Sequence, residues 1–101
     1  MFKHVVCISF KADSKDKVVE SKEKIEALVK KIDVLKKMQV GIDELKSDVS
    51  YDFVIIADFD SRSDYETYET HPEHLKVVDF IKDHIDKIVS VDYTYLDRTS
   101  I

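Results

Sequence analysis

The order in which the apolar spacing changes along the chain restricts the fold more than any other feature of this sequence. The spacing and residue types of a strand occur in four segments, which read FKHVVCISFK, MQVGI, YDFVIIADFD and KIVSVDYTYLD in chain order. Helical spacing occurs between the first and second segments and again between the third and fourth. The order β-α-β-β-α-β predicts an α+β, ferredoxin-like domain, in which a four-stranded antiparallel sheet carries helices on one face.

The strand segments predict two apolar faces of the sheet rather than one. In extended backbone, one face of the first strand presents His4, Val6, Ile8 and Phe10, and the other presents Val5, Cys7 and Ser9. The third strand repeats the pattern, with Phe53, Ile55, Ala57 and Phe59 opposite Val54 and Ile56. Because the helices cover only one face, we predict that a second copy of the chain covers the other face in a two-fold homodimer. We expect Cys7 to be a small buried core residue.

Capping residues and the single proline mark the ends of the predicted helices. A first helix is predicted from a cap at Asp13 or Ser14 to about residue 31. The second helical region begins with the spacing of a capping box, in which Ser61 is followed three residues later by Asp64. Pro72 divides this region in two, because a proline disfavours helical backbone in the preceding residue and suits the first turn of a new helix.

The segment YETHPEHLKVV contains the best candidates for chemistry. His74 lies four residues before Val78, so helical geometry places it on the apolar face of the new helix. An imidazole whose pKa is near about 6.5 can take a proton at neutral pH, and a tyrosine hydroxyl such as that of Tyr68 can donate to a carbonyl or enolate. The alternative for His74 is a ring bonded to a backbone carbonyl, and for His4 a satisfied core histidine. We expect His71 to fix the corner that orients His74.

These segments together resemble the stress-responsive α/β barrel domain family, called Dabb. KHVVCISFK is similar to the first strand of that family, YDFVIIADFDS to its third strand, YETHPEH to its Tyr-x-x-His-Pro-x-His signature, and VDYTY to its last strand. The resemblance covers nearly the whole chain, so we expect one domain over residues 1–101. It implies a subunit that pairs through its sheet into a dimeric α+β barrel, with a pocket between the sheet and the helices.

Plant polyketide cyclases with this fold imply roles for individual residues. By that resemblance, His74 would be the general base, Tyr68 would hold or polarise the substrate, and His4 would correspond to their early first-strand histidine. Phe53 departs from the cyclases, since the third strand here has no extra polar group for the pocket. The expected catalytic residues are therefore His74, Tyr68 and His4, with no cofactor and no metal.

Composition argues against several other classes of protein. The formal net charge is −5, from 16 Lys+Arg and 21 Asp+Glu, and the basic runs are interleaved with acidic residues, so we expect neither nucleic acid nor membrane as a partner. No segment has the eighteen or more apolar residues of a membrane span. The single cysteine suits a reducing compartment, and the expected location is cytoplasmic.

Two functional hypotheses follow from the sequence and both stay open at this point. In the first, a homodimeric Dabb protein binds a small apolar or aromatic molecule without turnover. In the second, the protein is a cofactor-independent cyclase or isomerase of a polyketide-like or enolic substrate, with His74 as base and Tyr68, alone or with His4, at the developing oxyanion. A monooxygenase that acts without metal on an electron-rich aromatic is a weaker alternative, by analogy of fold.

Overall fold

The chain folds in the predicted β-α-β-β-α-β order. The computed structural model describes residues 1–97, so the last four residues of the predicted domain lie outside the described residues. The strands are β1 (Phe2–Phe10), β2 (Lys37–Ile42), β3 (Phe53–Phe59) and β4 (Ile85–Thr94), and the helices are α1 (Val18–Glu26), α2 (Arg62–Glu69) and α3 (Pro72–Ile81). No helix within residues 1–97 is both long enough and apolar enough to cross a membrane.

The strands form one antiparallel sheet in the order β2-β3-β1-β4. β2 and β3 make the predicted hairpin, and their register continues without interruption through Gly41, which pairs with Val54. Gly41 therefore does not mark a bulge. A Cβ atom at this position would lie 3.4 Å from Cγ1 of Val54, which is an ordinary van der Waals contact.

The helices cover one of the two apolar faces that the strand phases predicted. That face contributes the buried residues Val6, Ile8, Phe10, Phe53, Ile55, Ala57 and Phe59. Ile25 and Leu28 from the first helical region, Tyr68 from α2 and Ile81 from α3 pack against them. Full burial of an aliphatic or aromatic side chain contributes about 1.5–3 kcal/mol relative to exposure, so this layer is the main source of stability.

The opposite face of the sheet has no cover within the single chain. Cys7 lies on this face and is half-buried, because the alternation of β1 turns its side chain away from the helices. The expectation that Cys7 is a buried core residue is therefore wrong for the isolated chain. Val91, directly opposite Val5 in the register of β4 with β1, is 65% exposed. The predicted second apolar face is therefore present, and the helices leave it uncovered.

The first helical region is less regular than predicted. Two 3₁₀ segments, Ala12–Lys17 and Ala27–Lys30, flank α1, and α1 begins without a side-chain cap. The predicted cap at Asp13 or Ser14 is wrong, because the buried Ser14 hydroxyl lies 3.2 Å from the carboxylate of Asp13 and 2.9 Å from Nδ1 of His84. The contact with His84, the residue just before β4, thus engages the Ser14 hydroxyl that would otherwise be able to cap the helix.

The corner between α2 and α3 follows the capping chemistry of the sequence. Oγ of Ser61 accepts a hydrogen bond from the backbone N–H of Asp64 at 3.1 Å, so α2 begins where predicted. α3 begins at Pro72, and Nδ1 of His71 accepts from the backbone N–H of Glu73 at 3.0 Å. The structural role predicted for His71 is confirmed: it caps the helix that carries His74.

Candidate functional site

A pocket of about 380 Å³ lies between α2, α3 and the strands β1 and β4. Its volume is within the range of small-molecule sites, about 300–1,000 Å³. Most of its wall is aliphatic and comes from Val6, Ile8, Ile55, Val78, Ile81, Ile85 and Ile88. The polar lining residues are His4, Tyr65, Tyr68, Glu69, His74, Lys82 and Ser90. The pocket is therefore an apolar cleft with a small number of polar groups, as ligand sites usually are.

The three residues expected to form a site all line this one pocket. β1 supplies His4, the last part of α2 supplies Tyr68, and the first turn of α3 supplies His74. The rings of Tyr68 and His74 lie 4.3 Å apart between centroids, because the corner at Pro72 folds the start of α3 back onto α2. Strand phase and helix phase thus bring together residues that are seventy positions apart in the chain.

His74 has one ring nitrogen engaged by the protein and one left for a ligand. Its Nδ1 lies 3.1 Å from the backbone carbonyl oxygen of Glu69, which can only accept, so Nδ1 carries the hydrogen. In the neutral ring the basic atom is then Nε2. Burial lowers the pKa of His74, against the opposing effects of this bond and of the Glu69 charge. The ring is consequently neutral at pH 7 and able to take a proton at Nε2.

Tyr68 is the second residue of the pocket that can bond to a ligand. The residue is 3% exposed, and no hydrogen-bond partner for its hydroxyl is found within residues 1–97. Burial raises the pKa of Tyr68 above its ordinary value, and the negative charge of Glu69 adds to the effect, so the group remains a protonated donor. A ligand acceptor in the pocket could therefore take a hydrogen bond from this hydroxyl.

His4 is oriented by a residue that sequence reasoning missed. Asp92 lies directly opposite His4 in the register of β1 with β4, and its carboxylate is hydrogen bonded to Nδ1 of His4. A carboxylate accepts, so Nδ1 donates and Nε2 of His4 is left on the pocket side. The signal available in the sequence was an acidic residue on the strand face shared with Ile88 and Ser90, but pairing it with His4 required the strand register.

Tyr65 and Glu69 form a second pair that the sequence reasoning did not assign to the site. They lie four apart on α2, and the Tyr65 hydroxyl donates to the Glu69 carboxylate. Burial raises the pKa of Tyr65, and the bond to Glu69 raises it further. The Tyr65 ring packs on Phe2, His4 and Phe59, with ring centroids 4.8–5.5 Å away. Tyr65 therefore packs through its ring and makes a polar contact through its hydroxyl.

The other two histidines lie outside the pocket lining. His71 caps α3, and His84 contacts Ser14 and the ring of Phe80. Across the part of the chain that the structure describes, no group of three His, Cys, Asp or Glu side chains is arranged to hold a metal ion.

The sequence of this chain matches the model of a known protein family. The model of the stress responsive A/B barrel domain (Dabb) matches residues 2–95, which is nearly the full length of the chain. The chain belongs to the Dabb family. A comparison with functionally curated proteins finds no significant match.

Solved structures similar to this Dabb protein share its fold over nearly its whole length. A dimeric, ferredoxin-like protein of unknown function from Bacteroides fragilis is 30% identical, with a TM-score of 0.83 over 93% of this chain and 95% of that one. A protein from Arabidopsis thaliana is 25% identical, with a TM-score of 0.82 over 98% and 99%. A hydroxynitrile lyase from Passiflora edulis is 17% identical, with a TM-score of 0.81 over 97% and 94%, and shows the fold alone.

Proposed function

We propose that this Dabb protein is a homodimer that binds a small apolar or aromatic molecule with a hydrogen-bonding group in the pocket of each subunit. The observation that carries the proposal is the Tyr68 hydroxyl, which has no hydrogen-bond partner within residues 1–97 and belongs to a residue packed beside His74 in an aliphatic cleft. A ligand oxygen would accept from Tyr68, and a ligand hydroxyl would donate to Nε2 of His74. The aliphatic wall would bury the rest of the molecule.

The open face of the sheet supports the dimer part of the proposal. It presents Val5, Val54, Ile56, Val89 and Val91, which the helices leave uncovered. Large exposed apolar patches are typical of interaction surfaces, and a flat sheet face is complementary to itself across a two-fold axis. The Bacteroides fragilis relative is described as dimeric. Light scattering at micromolar concentration should give twice the 11.8 kDa of one chain, and a clean monomer would contradict the dimer.

Proton abstraction at the same pocket is a second candidate function, favoured by the tautomer of His74. With Nδ1 committed to the Glu69 carbonyl, Nε2 would take a proton from a carbon next to a carbonyl, and the electron pair of the C–H bond would pass to the carbonyl oxygen to give an enolate. If the proton came from a hydroxyl instead, the charge would stay on the hydroxyl oxygen. Tyr68 would donate to the resulting oxyanion, and His4, held by Asp92, would accept a bond from a substrate hydroxyl. Return of the proton elsewhere is an isomerisation; attack of the enolate on a second carbonyl of the same molecule is a cyclisation.

The binding proposal is tested by a ¹H-¹⁵N NMR titration with small phenols and β-diketones. We expect saturable shifts around His4, Tyr68 and His74 in the wild type, and weaker binding in Tyr68→Phe and His74→Ala. Tyr51→Phe is the matched control, because Tyr51 lies just before β3 and is not among the lining residues of this pocket. Titrations without saturable shifts, or shifts that both pocket variants leave unchanged, would contradict the site.

The enzyme proposal needs a measurement of its own. We would follow exchange of the acidic C–H of a bound β-diketone with deuterium, since this step needs only a base and an oxyanion donor. His74→Gln should slow the exchange by about 10² to 10⁴, the usual contribution of general base catalysis. Unchanged exchange in both His74→Gln and Tyr68→Phe would rule out this mechanism and leave the protein as a binding module.

We also propose a cytoplasmic location and independence from cofactors, metals and nucleic acid. The single, unpaired Cys7 supports a reducing compartment. The net charge of −5 supports the absence of nucleic acid, since that partner is recognised through clustered positive charge. Dialysis against a chelator should leave ligand binding unchanged.

A further inference from the structure

The pocket has two chemically different ends. β1 runs along its floor from His4 to Ile8, a distance of about 13 Å at the usual strand rise. Around His4 the lining is polar and includes Tyr65 and Glu69. Around Ile8, whose register partner on β4 is Ile88, the lining is aliphatic. A ligand with one polar head and an apolar body therefore has a defined direction in the pocket.

The polar end carries negative charge without a basic residue beside it. The carboxylate of Glu69 accepts from Tyr65, and the carboxylate of Asp92 accepts from His4. No Lys or Arg is among the described lining residues except Lys82, which follows α3 toward the aliphatic end and is paired with Asp79 at 2.9 Å. A head group placed at this end meets the Glu69 carboxylate and a neutral His74, whereas Asp92 is bonded to His4 and is not itself among the lining residues.

Tyr65 determines where the Glu69 carboxylate sits. A glutamate side chain has several rotatable bonds and, left alone, samples many positions. The Tyr65 ring is held between Phe2, Phe59 and His4, and its hydroxyl holds the carboxylate against the pocket wall. The position of the charge is thus set by the packing of an aromatic ring.

We propose that Glu69, held by Tyr65, makes this pocket selective for ligands whose head group donates hydrogen bonds, such as a phenol or a protonated amine, and makes it reject a carboxylate head. The inference rests on the proposed function, since it assigns the ligand class of the same pocket. Its physical basis is that a second anion near the first is repelled, while a donor gains a charge-assisted hydrogen bond. Discrimination of this kind comes from repulsion as much as from attraction.

Three probes that differ only in the head group test the proposal: 4-propylphenol, 4-propylbenzylamine and 4-propylbenzoate, titrated at pH 7.5 by NMR or calorimetry. We expect the wild type to bind the phenol and the amine at least about tenfold more tightly than the benzoate. Glu69→Gln keeps the shape and the acceptor for Tyr65 but removes the charge, and should lower that ratio about tenfold. Tyr65→Phe should lower it as well, because the carboxylate loses its anchor.

Glu66→Gln is the matched control. Glu66 lies on the same helix, its side chain is 63% exposed, and it pairs with Arg62 rather than with any group of the pocket. Its removal changes the net charge by the same amount as Glu69→Gln, so the selectivity ratio should stay at the wild-type value. A second readout is the pKa of His74 by NMR, which should fall in Glu69→Gln and stay in Glu66→Gln, because the Glu69 charge favours the protonated ring.

The possible failures are distinguishable. If the benzoate binds the wild type as tightly as the phenol, or if Glu69→Gln and Tyr65→Phe both fold and leave the ratio unchanged, the selectivity proposal is overturned while the pocket stands. If no probe binds the wild type saturably, the proposed function fails and this proposal fails with it. The heteronuclear spectrum of each variant shows whether it has folded.

Discussion

β3 and β4 belong to the same sheet and both carry β-branched apolar residues, yet their exposure is opposite. In β3 five of the seven residues are buried, whereas every residue of β4 from Asp86 to Thr94 is exposed. β3 lies between β2 and β1 beneath the helices, while β4 is an edge strand next to β1 alone. The burial of a strand in this sheet therefore depends on its neighbouring strands and on whether the helices cover it. The exposed strand, β4, is the one that borders the proposed pocket and the proposed dimer face.

The exposure of β4 has a separate cause on each face. On the helix side, Ile88 and Ser90 line the pocket, and Asp92 orients His4. On the other side, Val91 and Tyr93 extend the open apolar face on which we propose the dimer. β3 holds the fold together, whereas β4 borders a ligand pocket on one face and a partner surface on the other.

The largest expected effect comes from removing a β3 side chain. Phe59 is fully buried and packs on the rings of Tyr65 and Tyr68, so Phe59→Ala should lower the free energy of unfolding by about 3–5 kcal/mol. Val91→Ala on β4 should change it by less than about 1 kcal/mol at protein concentrations where the chain is monomeric. Urea denaturation measures both. Equal losses in the two variants would mean that β4 is not the peripheral strand that its exposure indicates.

The next effect concerns association. Val91→Lys places a charge on the open face, and in a two-fold dimer each substitution counts twice, so we expect the dimer to weaken at least about 100-fold. The matched change is Ser90→Lys, which is the adjacent residue on the helix side of the same strand and should leave the dimer intact. Sedimentation equilibrium gives both constants. A dimer that tolerates Val91→Lys but not Ser90→Lys would move the interface to the other face.

A smaller effect is expected in the pH dependence of stability. Burial lowers the folded-state pKa of His74, so near and below the ordinary pKa of about 6.5 the unfolded chain binds more protons than the folded chain. The contribution of His74 to the free energy of unfolding is therefore fully present above about pH 6.5 and is lost as the pH falls below that value. His74→Gln should therefore flatten the fall in unfolding free energy between about pH 7 and pH 5. Tyr68→Phe keeps the imidazole and should keep the wild-type slope. A His74→Gln slope equal to the wild type would show that the ring is not desolvated.

The smallest effect should come from Gly41 of β2. Its backbone has ordinary strand geometry, and a methyl group would meet Val54 at ordinary contact distance, so Gly41→Ala should stabilise the chain by about 0.5–1 kcal/mol through a less flexible unfolded state. Thermal unfolding measures the change. A loss of stability would show that Val54 cannot adjust, and that the open face is packed more tightly around β2 than around β4.

Much of this molecule could be read from local patterns. The strand phases predicted which residues share a face of the sheet, Ser61 and Pro72 predicted the starts of α2 and α3, and helical phase predicted that His74 lies on the apolar face of its helix. The cap at Asp13 or Ser14 failed because His84, seventy residues away, competes for the Ser14 hydroxyl. Cys7 was assigned to the core because apolar alternation does not say which of two faces is covered.

The sequence by itself determined the order of the elements, the two faces of each strand and the candidates His4, Tyr68 and His74, because periodicity, capping and proline geometry act over a few residues. Only the tertiary structure decided that Asp92 orients His4, that Glu69 brings a charge to the pocket, and that β4 stays exposed while β3 is buried. These outcomes depend on strand register and on which surfaces meet. Contacts between residues far apart in the chain determine both, and local spacing carries no record of them.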